Sequence, residues 1–263
     1  MTERDNGYTG LLVTALFVTL SSVATAGGSD YLWRVGKPDN DYSEFALAPD
    51  GYSDYADAGL FIVGQSDPAQ DWPYCHPGPR DNWAGGSKHT FTVFFGLSGA
   101  PSGAAELVID LVDTHGKRPP TLNFEVNGES LDRWRHETPA GGGDASIQGE
   151  PSAGQEHRFT VTIPGDMLHS GLNQIDITNA QMSWMLYDWV GLRGAGDASL
   201  SAARGARLRS VEVSPWIVKK EDGWVQPIHV DLIATGVGET VTVQAGDAAG
   251  RTVGLDRGRG EAE

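Results

Sequence analysis

The amino-acid sequence predicts an all-β protein whose antiparallel strands form a sandwich. Three observations support this fold class. The 263 residues include 35 Gly and 14 Pro, a composition that favours short strands joined by turns. Runs in which apolar and polar side chains alternate recur along the chain. No long stretch has the periodicity of an amphipathic helix.

The predicted strands of the main body occur at irregular spacing. In the second of them both alternating sets of side chains are mostly apolar, which predicts a central strand. The dipeptide Asn127-Gly128 follows the fourth strand and predicts a tight hairpin. Residues 164–171 predict a single helical turn between strands. The strands are predicted at residues 60–63, 90–97, 106–112, 121–126, 157–163, 173–178 and 183–192.

The beginning of the chain predicts export. Residues 11–26 are apolar and end in Ala-Thr-Ala at Ala26, a small-x-small pattern typical of signal-peptide cleavage. The segment is shorter than the roughly 20 apolar residues of a membrane span. We therefore predict a signal peptide at residues 1–26 and a secreted or periplasmic protein with no stable membrane insertion after cleavage. The leader is acidic where basic residues are usual, which leaves an uncleaved anchor as the alternative.

The net charge narrows the classes of molecule that the protein is expected to bind. The net charge of −16 disfavours nucleic acid and anionic membrane surfaces as ligands. It also disfavours polyanionic polysaccharide, unless local basic residues or a bound cation offset the field.

Cys75 is the only cysteine, so no internal disulfide forms, and we interpret it as a packing residue. The oligomeric state is not predicted.

Residues 64–88 form a long irregular segment rich in Pro, Gly and aromatic residues. Sugars present polar hydroxyl edges and apolar C–H faces, so a binding surface combines aromatic rings with hydrogen-bonding side chains. Alternatively, the rings anchor the loop onto the sandwich. A second irregular segment, residues 137–155, is predicted to be mobile. The predicted ligand-binding residues are Trp72, Tyr74, Arg80, Asp81, Asn82, Trp83, Lys88 and His89.

Composition shifts divide the chain into four parts. The signal peptide is followed by the main domain at residues 27–195 and a small, polar linker at residues 196–206. Residues 207–263 contain three further predicted strands, at 208–213, 228–234 and 240–245, which resemble the opening of an immunoglobulin-like sandwich. Such a domain needs about 100 residues, so we predict a partial immunoglobulin-like β module.

Several motifs of the main domain resemble those of a known family. They are LWRVGKPD at residues 32–39, EF at 44–45, FTVFF at 91–95, LNFEVNG at 122–128, GLNQI at 171–175 and YDWVGL at 187–192. In these motifs, residues 31–192 resemble the C-terminal jelly-roll domain, domain III, of family 4 polysaccharide lyases, the rhamnogalacturonan lyases. The last three motifs are also similar to the wider galactose-binding-like sandwich class. The resemblance implies a jelly-roll β-sandwich linked to carbohydrate.

The same resemblance implies a candidate calcium site. Carbohydrate-binding sandwiches often hold a structural Ca²⁺ between an early acidic residue and one in the last strand, with carbonyl oxygens as further ligands. The alternative for the late residue is a hydrogen-bonded structural carboxylate. Four tryptophans, Trp33, Trp134, Trp184 and Trp189, are interpreted as core residues. The candidate calcium ligands are Asp39, Asp41, Glu44 and Asp188.

These residues do not assemble readily into a catalytic site. A β-eliminating lyase needs a base, and His76, His89 and Lys88 are the nearby set. A glycosidase needs two facing carboxylates, for which Asp71 and Asp81 are candidates. In the resembled lyases the catalytic groups lie in a separate N-terminal domain, for which no room precedes the main domain.

We therefore predict a non-catalytic carbohydrate-binding or accessory module of a secreted polysaccharide-degrading protein, which binds plant-type polysaccharide through loop aromatics. Two alternatives stay open at this point. One is a structural spacer of a larger or truncated glycoside hydrolase. The other is an enzyme of the rhamnogalacturonan lyase type.

Overall fold

The computed structural model describes residues 11–15, 31–131, 135–220, 223–236, 240–245, 251–254 and 259–262. The predictions made for Trp134 and for cleavage after Ala26 lie outside these residues. The chain divides into two compact units. The larger is Ala24–Ala203, and the smaller combines Met1–Val23 with Arg204–Glu263.

The described chain begins with strand β1 (Leu11–Ala15), which belongs to the smaller unit. The strands of the larger unit are β2 (Tyr31–Gly36), β3 (Leu60–Ile62), β4 (Cys75–His76), β5 (His89–Leu97), β6 (Ala105–Thr114), β7 (Thr121–Val126), β8 (Glu129–Ser130), β9 (His136–Glu137), β10 (His157–Ile163), β11 (Gly171–Gln181), β12 (Met185–Gly194) and β13 (Leu200–Ser201). Its helical elements are α1 (Pro68–Asp71) and the 3₁₀ turns Gly51–Asp54, Asn82–Ala84, Pro151–Ala153 and Gly165–Met167. None of the helices in the described ranges has the length and apolarity needed to cross a bilayer.

Two sheets build the larger unit. In the β6 sheet the strand order is β10-β6-β12-β2, and β4 pairs with β12. In the β11 sheet the order is β13-β5-β11-β7-β8, with β3 on β5 and β9 on β7. The β3–β5 pair is parallel and the other strand pairs of these two sheets are antiparallel. The predicted all-β antiparallel fold class is confirmed.

The core lies between the two sheets. Alternate residues of β5, such as Phe91 and Phe95, share one buried cluster with Leu107 and Ile109 of β6. Full burial of each such side chain contributes about 1.5–3 kcal/mol. The central position predicted for β5 is confirmed, because it pairs with β11 on one side and with β3 and β13 on the other.

Asn127 and Gly128 form the two-residue connection between β7 and β8, as the sequence predicts. Both residues have positive φ, at 54° and 83°. A tight hairpin turn that follows the strand twist requires this left-handed backbone, which Asn and Gly adopt at low cost.

The smaller unit is also all β. Its further strands are β14 (Gly205–Val213), β15 (Val218–Lys220), β16 (Gly223–Val225), β17 (Ile228–Thr235), β18 (Thr240–Ala245), β19 (Arg251–Gly254) and β20 (Arg259–Ala262). They form the sheets β1-β18-β19 and β14-β17-β20 and the hairpin β15-β16. A small core includes Val230, Leu232 and Val241. The three strands predicted here correspond to β14, β17 and β18.

Candidate functional site

The aromatic rings of the loop at residues 64–88 lie largely inside the sandwich. Trp72 and Tyr74 are both 0% exposed. The Tyr74 hydroxyl donates a hydrogen bond to the Ile147 carbonyl at 2.5 Å. Neither ring offers a face to a sugar, so the prediction that both are stacking platforms is wrong. A long loop without a disulfide needs buried anchors, and these two rings provide them.

The middle of this loop is held by a buried carboxylate. Asp81 accepts hydrogen bonds from the Gly78 amide at 2.7 Å and from the Ser183 hydroxyl. Burial raises the pKa of Asp81. Trp83 is half-buried, and its ring lies edge-on against Tyr52 with the centroids 5.2 Å apart. Asp81 therefore orders the loop and is not directed at solvent, contrary to its predicted role as a ligand-binding residue.

The remaining predicted ligand-binding residues differ in their exposure to solvent. Arg80, Asn82 and Lys88 are exposed. The half-buried His89 places its Nε2 2.9 Å from the Ala84 carbonyl, and burial lowers the pKa of His89. Of this set, Lys88 lies in a cavity.

That cavity, of about 260 Å³, forms where β7, β8 and the end of β11 meet. Lys88 and Arg135 contribute two cations, and Asn123 and Gln181 contribute two amides. The Ser130 hydroxyl and the edges of the buried residues Phe124, Leu131 and Ala180 complete it. A few polar groups that converge in a concave site are a feature of small-ligand pockets.

The side chains around the cavity are already partly ordered. The Arg135 Nη2 donates to the Gln181 Oε1 at 3.2 Å. Arg135 also lies 3.5 Å from the Glu137 carboxylate, in an exposed ion pair that contributes little to stability. The guanidinium thus stays available to a ligand. We refer to this site as the Lys88–Arg135 cavity.

Sequence analysis identified Lys88 but not the other polar residues of the cavity. Asn123 carries a usable signal, because it is an exposed position between the buried Leu122 and Phe124 of β7. For Arg135 and Gln181 the sequence holds no comparable signal. They come together only through the pairing of β7 with β11 and β9.

Three of the four predicted calcium ligands, Asp39, Asp41 and Asp188, lie at a β-bulge in β12. Tyr187 pairs with Leu111 and Trp189 pairs with Asp110, so Asp188 between them is skipped. Its Oδ1 accepts long hydrogen bonds from the backbone N–H groups of Asp39 and Asp41, at 3.3 and 3.4 Å.

The electrostatics of the bulge favour a structural role for this carboxylate. Burial is the main cause that raises the pKa of Asp188 to about 7, and the charge of Asp110 is the next largest. The Glu44 Oε1 accepts the Lys37 amide at 2.6 Å, and its buried Oε2 has no hydrogen-bond partner. The positive ends of N–H dipoles point at Asp188, where a cation would have to bind. Within the described ranges no three His, Cys, Asp or Glu side chains are grouped to hold a metal. The arrangement does not fit calcium as it stands, and calcium binding stays a prediction.

A second buried carboxylate organises the segment predicted to be mobile. Asp113 Oδ1 accepts the backbone amides of Gly142 and Gln155 at 2.7 and 3.1 Å, and its Oδ2 accepts the Ser146 hydroxyl. Ile147 is buried in the main core. Residues 137–155 are therefore anchored at several points, which their Gly-rich composition did not indicate.

The candidate base His76 and the neighbouring Cys75 are buried in the core. His76 is fully buried, stacks on Phe91 with centroids 3.9 Å apart, and lies 2.9 Å from the Tyr187 hydroxyl. Burial lowers the pKa of His76 to about 3. Burial also raises the pKa of the Cys75 thiol. His76 is therefore neutral and inaccessible, and Cys75 is a packing residue as predicted.

Comparison with known proteins bears on this fold and site. The family model described as "CBM-like: Polysaccharide lyase family 4, domain III" matches residues 31–192. No curated protein matches the chain.

Several solved structures are similar in fold. A family 35 carbohydrate binding module from an environmental isolate is 15% identical, with 60% of this chain and 97% of the module covered and a TM-score of 0.34. A family 35 module from Cellvibrio japonicus Abf62 is 13% identical, with 44% and 72% covered and a TM-score of 0.28. A GH2 β-galacturonidase from Eisenbergiella tayi is 14% identical, with 66% and 28% covered and a TM-score of 0.23. The functional assignment rests on the family match and not on these distant structures.

Proposed function

The chain belongs to the CBM-like family of polysaccharide lyase family 4, domain III, and from this premise we propose that its carbohydrate-binding accessory module binds glycan in the Lys88–Arg135 cavity. This cavity replaces the loop aromatics as the binding surface. The loop rings are buried, whereas the cavity is open to a ligand and lined with groups that suit a sugar.

The observation that carries the proposal is the pairing of two cations in one cavity of a chain with net charge −16. Lys88 and Arg135 create a local positive site in a negative field. A guanidinium and an ammonium in one cavity favour a carboxylate, and Arg forms the stronger, bidentate contact. We therefore propose a glycan that carries carboxylate groups, such as one containing uronic acid residues.

The other lining residues have matching roles. The amides of Asn123 and Gln181 and the Ser130 hydroxyl can donate to and accept from sugar hydroxyls. The Gln181 carbonyl oxygen also orients Arg135, which lowers the conformational entropy lost on binding.

Binding to immobilised polysaccharides, followed by calorimetry with oligosaccharides, tests the proposal. The full chain is expected to bind an acidic polysaccharide and to ignore neutral ones of the same length. Lys88→Ala and Arg135→Ala should each weaken binding by about ten- to a hundredfold, the value of one charge-assisted hydrogen bond. Lys117→Ala, which removes an exposed cation outside the cavity, is the matched control.

Two results would overturn the proposal. One is unchanged affinity in both cavity variants. The other is the absence of binding to any acidic or neutral polysaccharide, which would favour the structural spacer, since a spacer needs buried loop anchors but no ligand.

We also infer that the protein is exported through residues 1–26. Cleavage after Ala26 would remove β1, which pairs with β18 from Leu11–Ala245 to Ala15–Val241. Mass spectrometry of the protein recovered from the periplasm or medium tests this inference. A mature chain that begins at Gly27 supports it, and an intact N-terminus contradicts it.

A further inference from the structure

Two histidines connect the two sheets at one edge of the sandwich. His136 lies on β9, which extends the β11 sheet, and His157 lies on β10, the edge strand of the β6 sheet. Their Nε2 atoms are 2.9 Å apart. Both rings stack with Phe159, and the His136 ring centroid is 3.7 Å from that of Phe159.

We propose that the His136–His157 contact is a pH-operated clasp that holds Arg135 at the glycan cavity near neutral pH and releases it in acid. The proposal rests on the proposed function, because the released residue belongs to the Lys88–Arg135 cavity.

The geometry allows one proton between the two rings. At 2.9 Å, one imidazole donates an N–H and the other accepts it through a lone pair. Protonation of both rings would place two N–H groups and two positive charges against each other. The contact must then break, and the stacked rings must separate.

The surroundings keep both rings neutral at pH 7. Burial is the main cause that lowers the pKa of His136 to about 4, and the neighbouring His157 adds to this shift. Burial lowers the pKa of His157 as well, although the charge of Asp110 opposes this shift. The clasp is therefore closed at neutral pH and opens in the range where these groups take up protons.

The charged groups around the clasp are engaged with one another. Arg135, which directly precedes β9, pairs with Glu137 of β9. On β10, Arg158 bonds Asp110 of β6 and lies 3.9 Å from Glu156. The β7 residues that face β9 are Thr121 and Leu122, which carry no charge. Asp110, the carboxylate whose field reaches His157, is thus largely neutralised by Arg158.

Movement of β9 would act directly on the cavity. Arg135 immediately precedes His136, and Arg135 lines the cavity. Strand β9 pairs with β7 at only two positions, Thr121–Glu137 and Leu122–His136. With so few backbone contacts, the side-chain clasp to β10 contributes much of what fixes this short strand.

The test measures affinity of the full chain for an acidic oligosaccharide between pH 7.5 and pH 3.5, a range that includes the pKa of His136. The wild type is expected to lose about tenfold, the change that one pKa unit represents. His136→Phe keeps an aromatic ring on Phe159 but cannot be protonated, so its affinity should change far less. His157→Phe serves as a second variant with the same expectation. His169→Gln, an exposed histidine outside the clasp, should follow the wild type.

An equal loss of affinity in the wild type and both Phe variants would overturn the clasp. Failure of the wild type to bind at pH 7.5 would instead overturn the proposed function. The clasp is then tested without glycan, by NMR titration of the imidazole C–H signals. Coupled titration of His136 and His157 below pH 6.5 supports it, and independent titration near 6.5 contradicts it.

Discussion

Trp72 lies edge-on against Phe91 in the interior of the sandwich, with the ring centroids 5.0 Å apart. Tyr187 borders the same indole at 5.3 Å. The loop at residues 64–88 is thus fixed to the core by its largest side chain.

Truncation of this side chain should destabilise the protein. Trp72→Ala leaves a cavity between Phe91 and Tyr187 and is expected to lower the free energy of unfolding by about 3–5 kcal/mol. Urea denaturation followed by circular dichroism measures the change. The matched control is Trp224→Ala, because Trp224 is 68% exposed and its loss should cost less than about 0.5 kcal/mol. Equal stability of the two variants would contradict the anchoring role.

Glycan binding should be sensitive to salt. The Lys88–Arg135 cavity attracts a carboxylate through charges at or near the surface, and added salt screens such interactions. Affinity for an acidic oligosaccharide is expected to fall between low salt and about 0.5 M NaCl, as measured by calorimetry. Removal of a cation should flatten the dependence, so Arg135→Gln should show a smaller salt effect than the wild type. A salt effect of the same size in Arg135→Gln would show that the attraction arises elsewhere.

Buried His76 should make the protein less stable in acid. In the folded state the pKa of His76 is about 3, whereas in the unfolded chain it is near 6.5. Between these values the unfolded state binds the extra proton, so the free energy of unfolding falls as pH decreases below about 6.5. The expected loss from His76 is about 2 kcal/mol between pH 7.5 and pH 5.

Denaturation curves at several pH values test this prediction. His76→Gln retains a polar side chain that can bond Tyr187, and it should show a shallower decline with acidification than the wild type. His169→Gln is the control, since His169 is exposed. A decline of the same slope in His76→Gln would mean that other groups, such as His136, account for it.

The features predicted correctly from sequence are those set by local pattern. The Asn127-Gly128 turn and the buried alternation in β5 depend on a few adjacent residues, whose backbone preferences hold in most contexts. Whether the rings of a loop face inward or outward depends on the surface they meet. The sequence therefore places Trp72 in the loop but does not show that its ring faces the core.

Most residues of the Lys88–Arg135 cavity are likewise not predictable from local sequence pattern. Asn123 and Gln181 become neighbours because β7 pairs with β11, with Thr121 opposite Gln181. Arg135 is brought to the same site because it directly precedes β9, which pairs with β7 at Leu122–His136. Strand register fixes these contacts, and no spacing in the sequence encodes them. Lys88 is predictable from sequence because it is the last residue of the irregular segment 64–88.

Asp188 offers a test that separates its two candidate roles. As a hydrogen-bond acceptor for the backbone of Asp39 and Asp41, it can be replaced by Asn, whose Oδ1 accepts the same bonds without a buried charge. In EDTA at pH 8, Asp188→Asn is therefore expected to unfold within about 1 kcal/mol of the wild type. Asp188→Leu removes the acceptor and should cost more, because the Asp41 N–H loses its acceptor and the Asp39 N–H keeps only the Lys37 carbonyl.

The calcium prediction makes a different demand on the same variant. A Ca²⁺ ion at a hundredfold excess over its dissociation constant would stabilise the wild type by about 2.7 kcal/mol. Asp188→Asn should then lose this gain, because a neutral amide binds Ca²⁺ more weakly than a carboxylate. Thermal unfolding of both proteins in Ca²⁺, in Mg²⁺ and in EDTA measures it. Identical curves for the wild type in all three conditions would leave the carboxylate with its hydrogen-bonding role alone, since the N–H groups directed at Asp188 already occupy the position that a cation would need.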